Sequence, residues 1–214
     1  MKSTVPCPVA VASLATLLVA CSAGLPASQG GRDAAPLTDA TVVIDSAIDG
    51  QQCVSTLEQH ADEGATHVPC TQPVTYQTNP PSSGNHYSCW AAYQTYSSPV
   101  PWGNLVHSLE HGAMIVVYNC PQGCAGDVAA IQSFIDALPL DPNCGASLRK
   151  NRIILMPDPS LDARFAATAW GWTLKSNCFD PTAFRQFFDA HYDHGREVIC
   201  SDGWTGDGLC VTCG

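Results

Sequence analysis

Runs of apolar residues predict three buried strands in the second half of the chain. Residues 113–118 are almost wholly apolar and partly β-branched, which is typical of a strand buried on both faces. Residues 151–156 form a similar run that Pro157 ends, and residues 166–174 form the third. All three are too short to be buried helices, so a β-sheet lies at the centre of the predicted fold.

Two segments repeat their apolar residues at helical spacing. In residues 127–138, apolar side chains recur every three or four positions and predict an amphipathic helix. Residues 181–192 predict a second helix, with Asp180 as its N-cap and Pro181 in its first turn. Nearer the N-terminus, residues 53–63 predict a helix and residues 74–76 a short strand. The order of elements predicts an α/β or α+β fold, a mixed β-sheet packed with helices in a disulfide-rich single domain.

The N-terminus carries an export signal. Lys2 precedes an apolar run at residues 9–20, whose twelve residues are too few to span a bilayer, which takes ~20. The run ends in Leu18-Val19-Ala20-Cys21, which resembles a bacterial lipobox. We therefore predict a signal peptide at residues 1–20, a lipid on Cys21, a tether at residues 21–44 and one globular domain at residues 45–214. An ordinary cleaved signal with a coincidental Cys21 stays open.

Charge and cysteine content narrow the location and the partners. Only 9 basic residues face 19 acidic ones, for a net charge of −10, which excludes a nucleic-acid partner because phosphate binding depends on Lys and Arg. The predicted partners are a membrane, through the lipid, and a metal ion, with no protein partner identified. The expected location is the periplasm or cell exterior. In that oxidising setting ten cysteines predict up to five disulfides of unassigned pairing: Cys53, Cys70, Cys89, Cys120, Cys124, Cys144, Cys178, Cys200, Cys210 and Cys213.

The densest polar cluster lies in residues 80–86 and 106–112. On a helical turn His107 and His111 are stacked one turn apart, with Glu110 between them, and Gly112 ends the turn. Asn104 is the expected cap at its start. His86, from the preceding loop, supplies a third imidazole. Neutral imidazoles are ligands for zinc and copper, so the cluster predicts a metal site.

Other interpretations of the cluster stay open. Met114 offers a soft ligand that favours copper, although a core methionine explains it better. The spacing His107-x-x-Glu110-His111 is also that of inverzincin proteases, in which Glu is the general base, but Gly112 ends the helix too early for that class. A purely structural hydrogen-bonded network of the histidines is the third interpretation.

Three sequence motifs resemble a known family. They are Pro80-Pro81-Ser82-Ser83-Gly84-Asn85-His86, the segment from Val106 to Gly112, and Ala167-Thr168-Ala169-Trp170-Gly171, with His67-Val68 upstream. Together they resemble the bacterial domain of unknown function 3105, whose members are secreted or membrane-anchored. The resemblance supplies no activity. It implies that the polar hallmark residues are His67, His86, His107, Glu110, His111 and Trp170.

The sequence as a whole predicts an extracytoplasmic lipoprotein with a histidine-based copper or zinc site. His86, His107 and His111 are the predicted ligands, and Glu110 is a fourth ligand or orients one of them. His67 and Met114 are reserve candidates. A metal-dependent enzyme and a non-catalytic, disulfide-stapled envelope module remain as alternatives.

Overall fold

The computed structural model describes residues 41–48, 50–144 and 150–204. The predicted signal peptide, Cys21, most of the tether, Cys210 and Cys213 lie outside the described residues. The first described strand begins at Thr41, within the last residues of the predicted tether.

A six-stranded mixed sheet forms the centre of the fold, in the spatial order β1-β2-β8-β7-β5-β6. The β5–β6 pair is parallel and the other pairs are antiparallel. A separate parallel pair, β3 and β4, joins His67 to His86 and Val68 to Tyr87. The strands are β1 Thr41–Ile48, β2 Gln51–Gln59, β3 His67–Val68, β4 His86–Tyr87, β5 Met114–Tyr118, β6 Ile153–Pro157, β7 Phe165–Ala169 and β8 Trp172–Ser176.

Three α-helices cover the sheet: α1 Trp102–Glu110, α2 Ala125–Ala137 and α3 Pro181–His191, with a 3-10 turn at Pro142–Cys144. Successive side chains of a strand point to opposite faces of the sheet, so those of β5 pack alternately into two hydrophobic cores, one on each face. Met114 and Val116 pack with residues of α2 and α3, whereas Ile115 and Val117 pack with residues of α1. The helices therefore lie on both faces of the sheet, and the described residues form the predicted mixed fold.

The predicted elements are confirmed where the apolar pattern was strong. Strands β5 and β6 and helices α2 and α3 match the predictions, and the Asp180 side chain accepts a hydrogen bond from the Thr182 backbone N–H at 2.9 Å. The helix predicted at residues 53–63 is wrong, because β2 occupies most of this segment and pairs with β1 and β8. Residues 74–76 form no strand, and the predicted third strand is the β7–β8 hairpin.

Disulfides link cysteines of the described chain, in two cases across long stretches of sequence. Cys53 pairs with Cys178, Cys120 with Cys124, and Cys144 with Cys200, while Cys70 is a free thiol among the described residues. Such bonds are typical of proteins from oxidising, extracytoplasmic compartments. None of the helices in the described ranges has the length and apolar character needed to cross a membrane.

Candidate metal centre

Helix α1 carries two members of the site. Its apolar residues, Leu105 and Leu109, pack into the core beside β5, and His107 and Glu110 are also buried. The helix begins after Pro101, so the predicted cap, Asn104, lies inside the first turn and its amide donates to the Cys89 carbonyl at 2.7 Å.

The β3–β4 pair carries the other two members. In the register of this parallel pair, His67 lies directly opposite His86 on the neighbouring strand. The loop before β4 is compact: Gly84 has φ +120°, and a Cβ there would lie about 3.0 Å from the Tyr76 ring. This conformation favours glycine, and the Gly84 carbonyl lies within hydrogen-bonding distance of the His86 ring.

Four side chains converge between α1 and the β3–β4 pair. Ligand atoms of His67, His86, His107 and Glu110 all lie within 4.8 Å of one another. Glu110 Oε2 is 2.9 Å from His86 Nε2 and 3.6 Å from His67 Nε2. Four ligands placed tetrahedrally at zinc distances are about 3.3 Å apart, so the most widely separated atoms of the group would move closer by up to about 1.5 Å to hold an ion.

Backbone carbonyls orient two of the imidazole rings. His86 Nδ1 lies 2.8 Å from the Gly84 carbonyl, and His107 Nδ1 lies 2.6 Å from the Tyr87 carbonyl. When Nδ1–H donates to a carbonyl, Nε2 carries the lone pair. Metal-binding histidines commonly have their other ring nitrogen fixed in this way.

Burial keeps these imidazoles neutral. The pKa of His107 is lowered to about 3, mainly because burial disfavours the charged ring and secondarily because other histidines surround it. Burial also lowers the pKa of His86, against the opposing effects of the Gly84 carbonyl and Glu110. Neutral rings at pH 7 are the form that binds metal.

His86 has more acceptors than donors around it. A neutral imidazole carries one N–H, but His86 has the Gly84 carbonyl at Nδ1 and the Glu110 carboxylate at Nε2, each within 2.9 Å. Whichever tautomer forms, one nitrogen lone pair faces an oxygen lone pair. A cation among the four side chains would turn this repulsion into two bonds.

His111 lies beside this group of four. Its ring centroid is 4.6 Å from that of His107, but its Nε2 lies 3.8 Å from Glu197 Oε2, and its buried Nδ1 has no hydrogen-bond partner among the described residues. Burial lowers its pKa to about 4. His111 is the C-cap of α1, one residue past the last helical position, where its orientation differs from that of His107.

The remaining reserve candidates and hallmark residues are also placed. His67 belongs to the group of four, and Met114 lies in the core cluster on the side of α2 and α3. The Trp170 ring meets His86 edge-on at 6.4 Å. Trp90, which the sequence interpretation missed, lies 5.2 Å from His107 and 4.7 Å from His111. It stands in a loop with no periodic pattern, so no sequence signal marked it.

The arrangement suits metal binding better than acid–base chemistry. Around an ion, three nitrogens and one carboxylate oxygen would complete a tetrahedral shell, which is typical of closed sites, whereas catalytic zinc keeps one position for water. Glu110 lies among the possible ligands, so it is not placed as the separate base that a protease needs.

Comparison with known proteins identifies a family of unknown function. The family described as "Protein of unknown function (DUF3105)" matches residues 67–202, which is more than half of the chain. No curated protein and no solved structure matches the chain. The matched region contains all four members of the group.

Proposed function

The chain belongs to the DUF3105 family of proteins of unknown function, and from its side-chain geometry we propose that it is an extracytoplasmic metal-binding protein. The ligands are His67, His86, His107 and Glu110. The observation that carries this proposal is the orientation of the His86 and His107 rings. Each has Nδ1 at a backbone carbonyl, which leaves the Nε2 lone pairs for a shared ion.

The donor set favours a divalent transition metal of intermediate softness. Three imidazoles with a carboxylate suit zinc and also accept Cu(II). Cu(I) favours thioether and thiolate ligands, and Met114 lies in the core cluster on the α2 and α3 side. We therefore propose zinc first and copper second.

The proposed location is the outer face of a bacterial membrane. Cys21 in its lipobox context would receive the lipid, residues 22–40 would serve as tether, and the disulfides fit an oxidising compartment. Stable anchoring needs more than one acyl chain, which lipoprotein processing supplies. The protein would then hold its metal close to the membrane surface.

A metal-dependent enzyme is the weaker alternative. The His-x-x-Glu-His spacing of zinc proteases requires both histidines as ligands and the glutamate as base. Here His111 lies outside the group of four, and Glu110 lies inside it. A structural hydrogen-bond network is also weaker, because it needs an extra proton between His86 Nε2 and the Glu110 carboxylate, and burial lowers the pKa of His86.

Metal analysis of the purified chain tests the proposal. After loading with zinc or copper and removal of excess metal at neutral pH, we expect one ion per chain. His107→Ala and His86→Ala should each abolish stoichiometric binding. His191→Ala is the matched control, because His191 also has a pKa lowered by burial but stacks on Trp172 outside the group. No bound metal in the wild-type chain after loading with either ion would overturn the proposal.

A further inference from the structure

The four members of the site differ sharply in exposure. The His67 side chain is 47% exposed, whereas that of His86 is fully buried and that of Glu110 is 6% exposed. His107 is also buried, at 4%. Solvent therefore reaches the group from the side of His67.

The members also differ in how firmly they are held. The Nδ1 atoms of His86 and His107 are fixed by backbone carbonyls. Within the described residues no hydrogen bond reaches the His67 ring, which lies against the rings of His86 and His107 and has its Nε2 3.6 Å from Glu110 Oε2. Its backbone belongs to a strand of two residues. Rotation of the His67 side chain would break no hydrogen bond found among the described residues, and it would open the solvent-facing side of the group.

We propose, on the basis of the proposed metal site, that His67 is the exchange ligand through which the ion enters and leaves. An incoming neutral nitrogen donor, such as an imidazole on a metal carrier, places its lone pair on the ion. The bond from His67 Nε2 to the ion breaks as the new bond forms, and His67 keeps its electron pair. The ion keeps its oxidation state. Further donors of the same carrier then replace Glu110, His107 and His86 one bond at a time, and each leaving nitrogen or oxygen keeps its electron pair.

This assignment names the class of partner. A donor that approaches from the solvent side meets one exposed imidazole beside a buried carboxylate, so the bond that it replaces is that of a neutral nitrogen. The partner in this proposal is a carrier or chelator with imidazole or amine donors, which replace that nitrogen without changing the charge of the site. The buried pair His86 and His107 gives the ion a fixed position during the exchange.

Two variants separate the exchange ligand from the holding ligands. His67→Ala should still bind one zinc per chain, but release to a chromophoric chelator should be at least about tenfold faster, since one of four bonds is lost. Millimolar imidazole should restore slow release by occupying the vacated, solvent-open position. His86→Ala should lose the metal, and imidazole should not restore it, because that position is fully buried. His191→Ala should match the wild type.

The wild-type chain provides a test that depends on no variant. Because the incoming donor bonds to the ion as the bond from His67 breaks, the release rate should rise linearly with chelator concentration. A release rate independent of chelator concentration would overturn the inference. Equal rescue of His67→Ala and His86→Ala by imidazole would do so as well. Absence of metal in the wild-type chain is a different result, which refutes the proposed function itself.

Discussion

Gly195 holds the C-terminal segment against the end of α1, and its substitution tests how that segment supports the site. Around Gly195, the Asp193 N–H donates to the Gly112 carbonyl at 3.0 Å and the Glu197 N–H to the Glu110 carbonyl at 2.8 Å. A Cβ on residue 195 would lie well under 3.0 Å from the Glu110 carbonyl oxygen and the Gly112 nitrogen. Both are backbone atoms, so the segment itself must move.

The cost of Gly195→Ala follows from these contacts. Displacing the segment weakens two backbone hydrogen bonds, each contributing about 1 kcal/mol, and overpacking typically adds about 1–3 kcal/mol. With about half of the strength of the two bonds retained, we expect the free energy of unfolding to fall by about 2–4 kcal/mol. Because Glu110 belongs to the proposed metal site, zinc affinity should fall as well.

Urea denaturation at neutral pH, with and without zinc, measures both effects. Gly126→Ala is the matched control, since a Cβ there would have no heavy atom within 4 Å and the residue lies in α2. That variant should be stabilised by up to about 1 kcal/mol, because alanine favours helix over glycine. Equal stability of Gly195→Ala and the wild type would refute the packing argument.

Three further predictions concern pH, a buried charge and the disulfides. In the metal-free folded chain, the pKa values of His107 and His111 are lowered to about 3 and 4. Below about pH 6.5, the ordinary pKa of histidine, the unfolded chain therefore binds more protons than the folded chain does. Urea titrations should therefore show stability that is complete above about pH 6.5 and falls from there toward pH 5, and a flat profile would contradict this. Arg152→Met leaves the buried Asp141, 2.8 Å away, without its cation and should cost about 3–5 kcal/mol by urea denaturation, against less than about 1 kcal/mol for the exposed Arg185→Met. Replacing Cys53 and Cys178 by serine opens a loop of 125 residues and should lower the free energy of unfolding by about 5 kcal/mol. Replacing Cys120 and Cys124, which are four residues apart, should lower it by about 2 kcal/mol. Equal losses in thermal or urea unfolding would contradict the dependence on loop length.

The sheet shows where sequence patterns are informative. Strands β5 and β6 are buried on both faces, so continuous apolar runs predicted them. Strand β2 was mistaken for a helix because its buried positions include Cys53 and Ser55 rather than large apolar residues. Its conformation depends on pairing with β1 and β8 and on the bond from Cys53 to Cys178, which are tertiary effects.

In the candidate site, too, some residues are predicted by sequence spacing and others are placed only by tertiary structure. Helical spacing brings His107 and Glu110 onto one turn, and the sequence could indicate both. His67 joins them only through its register with His86 in a pair of two-residue strands, which carries no periodic signal. Residues one turn apart stack on the same face only while the helix continues. His111 follows the last helical residue of α1, so it lies beside the group rather than within it.

X-ray absorption at the metal edge of the zinc-loaded chain tests the central claim most directly. We predict four nitrogen and oxygen neighbours at about 2.0–2.1 Å and the outer-shell scattering of three imidazoles. His67→Ala should lose one imidazole from that pattern, and His191→Ala should leave it unchanged. A first shell that contains sulfur, or imidazole scattering that survives in the His86→Ala and His107→Ala double variant, would contradict the assignment.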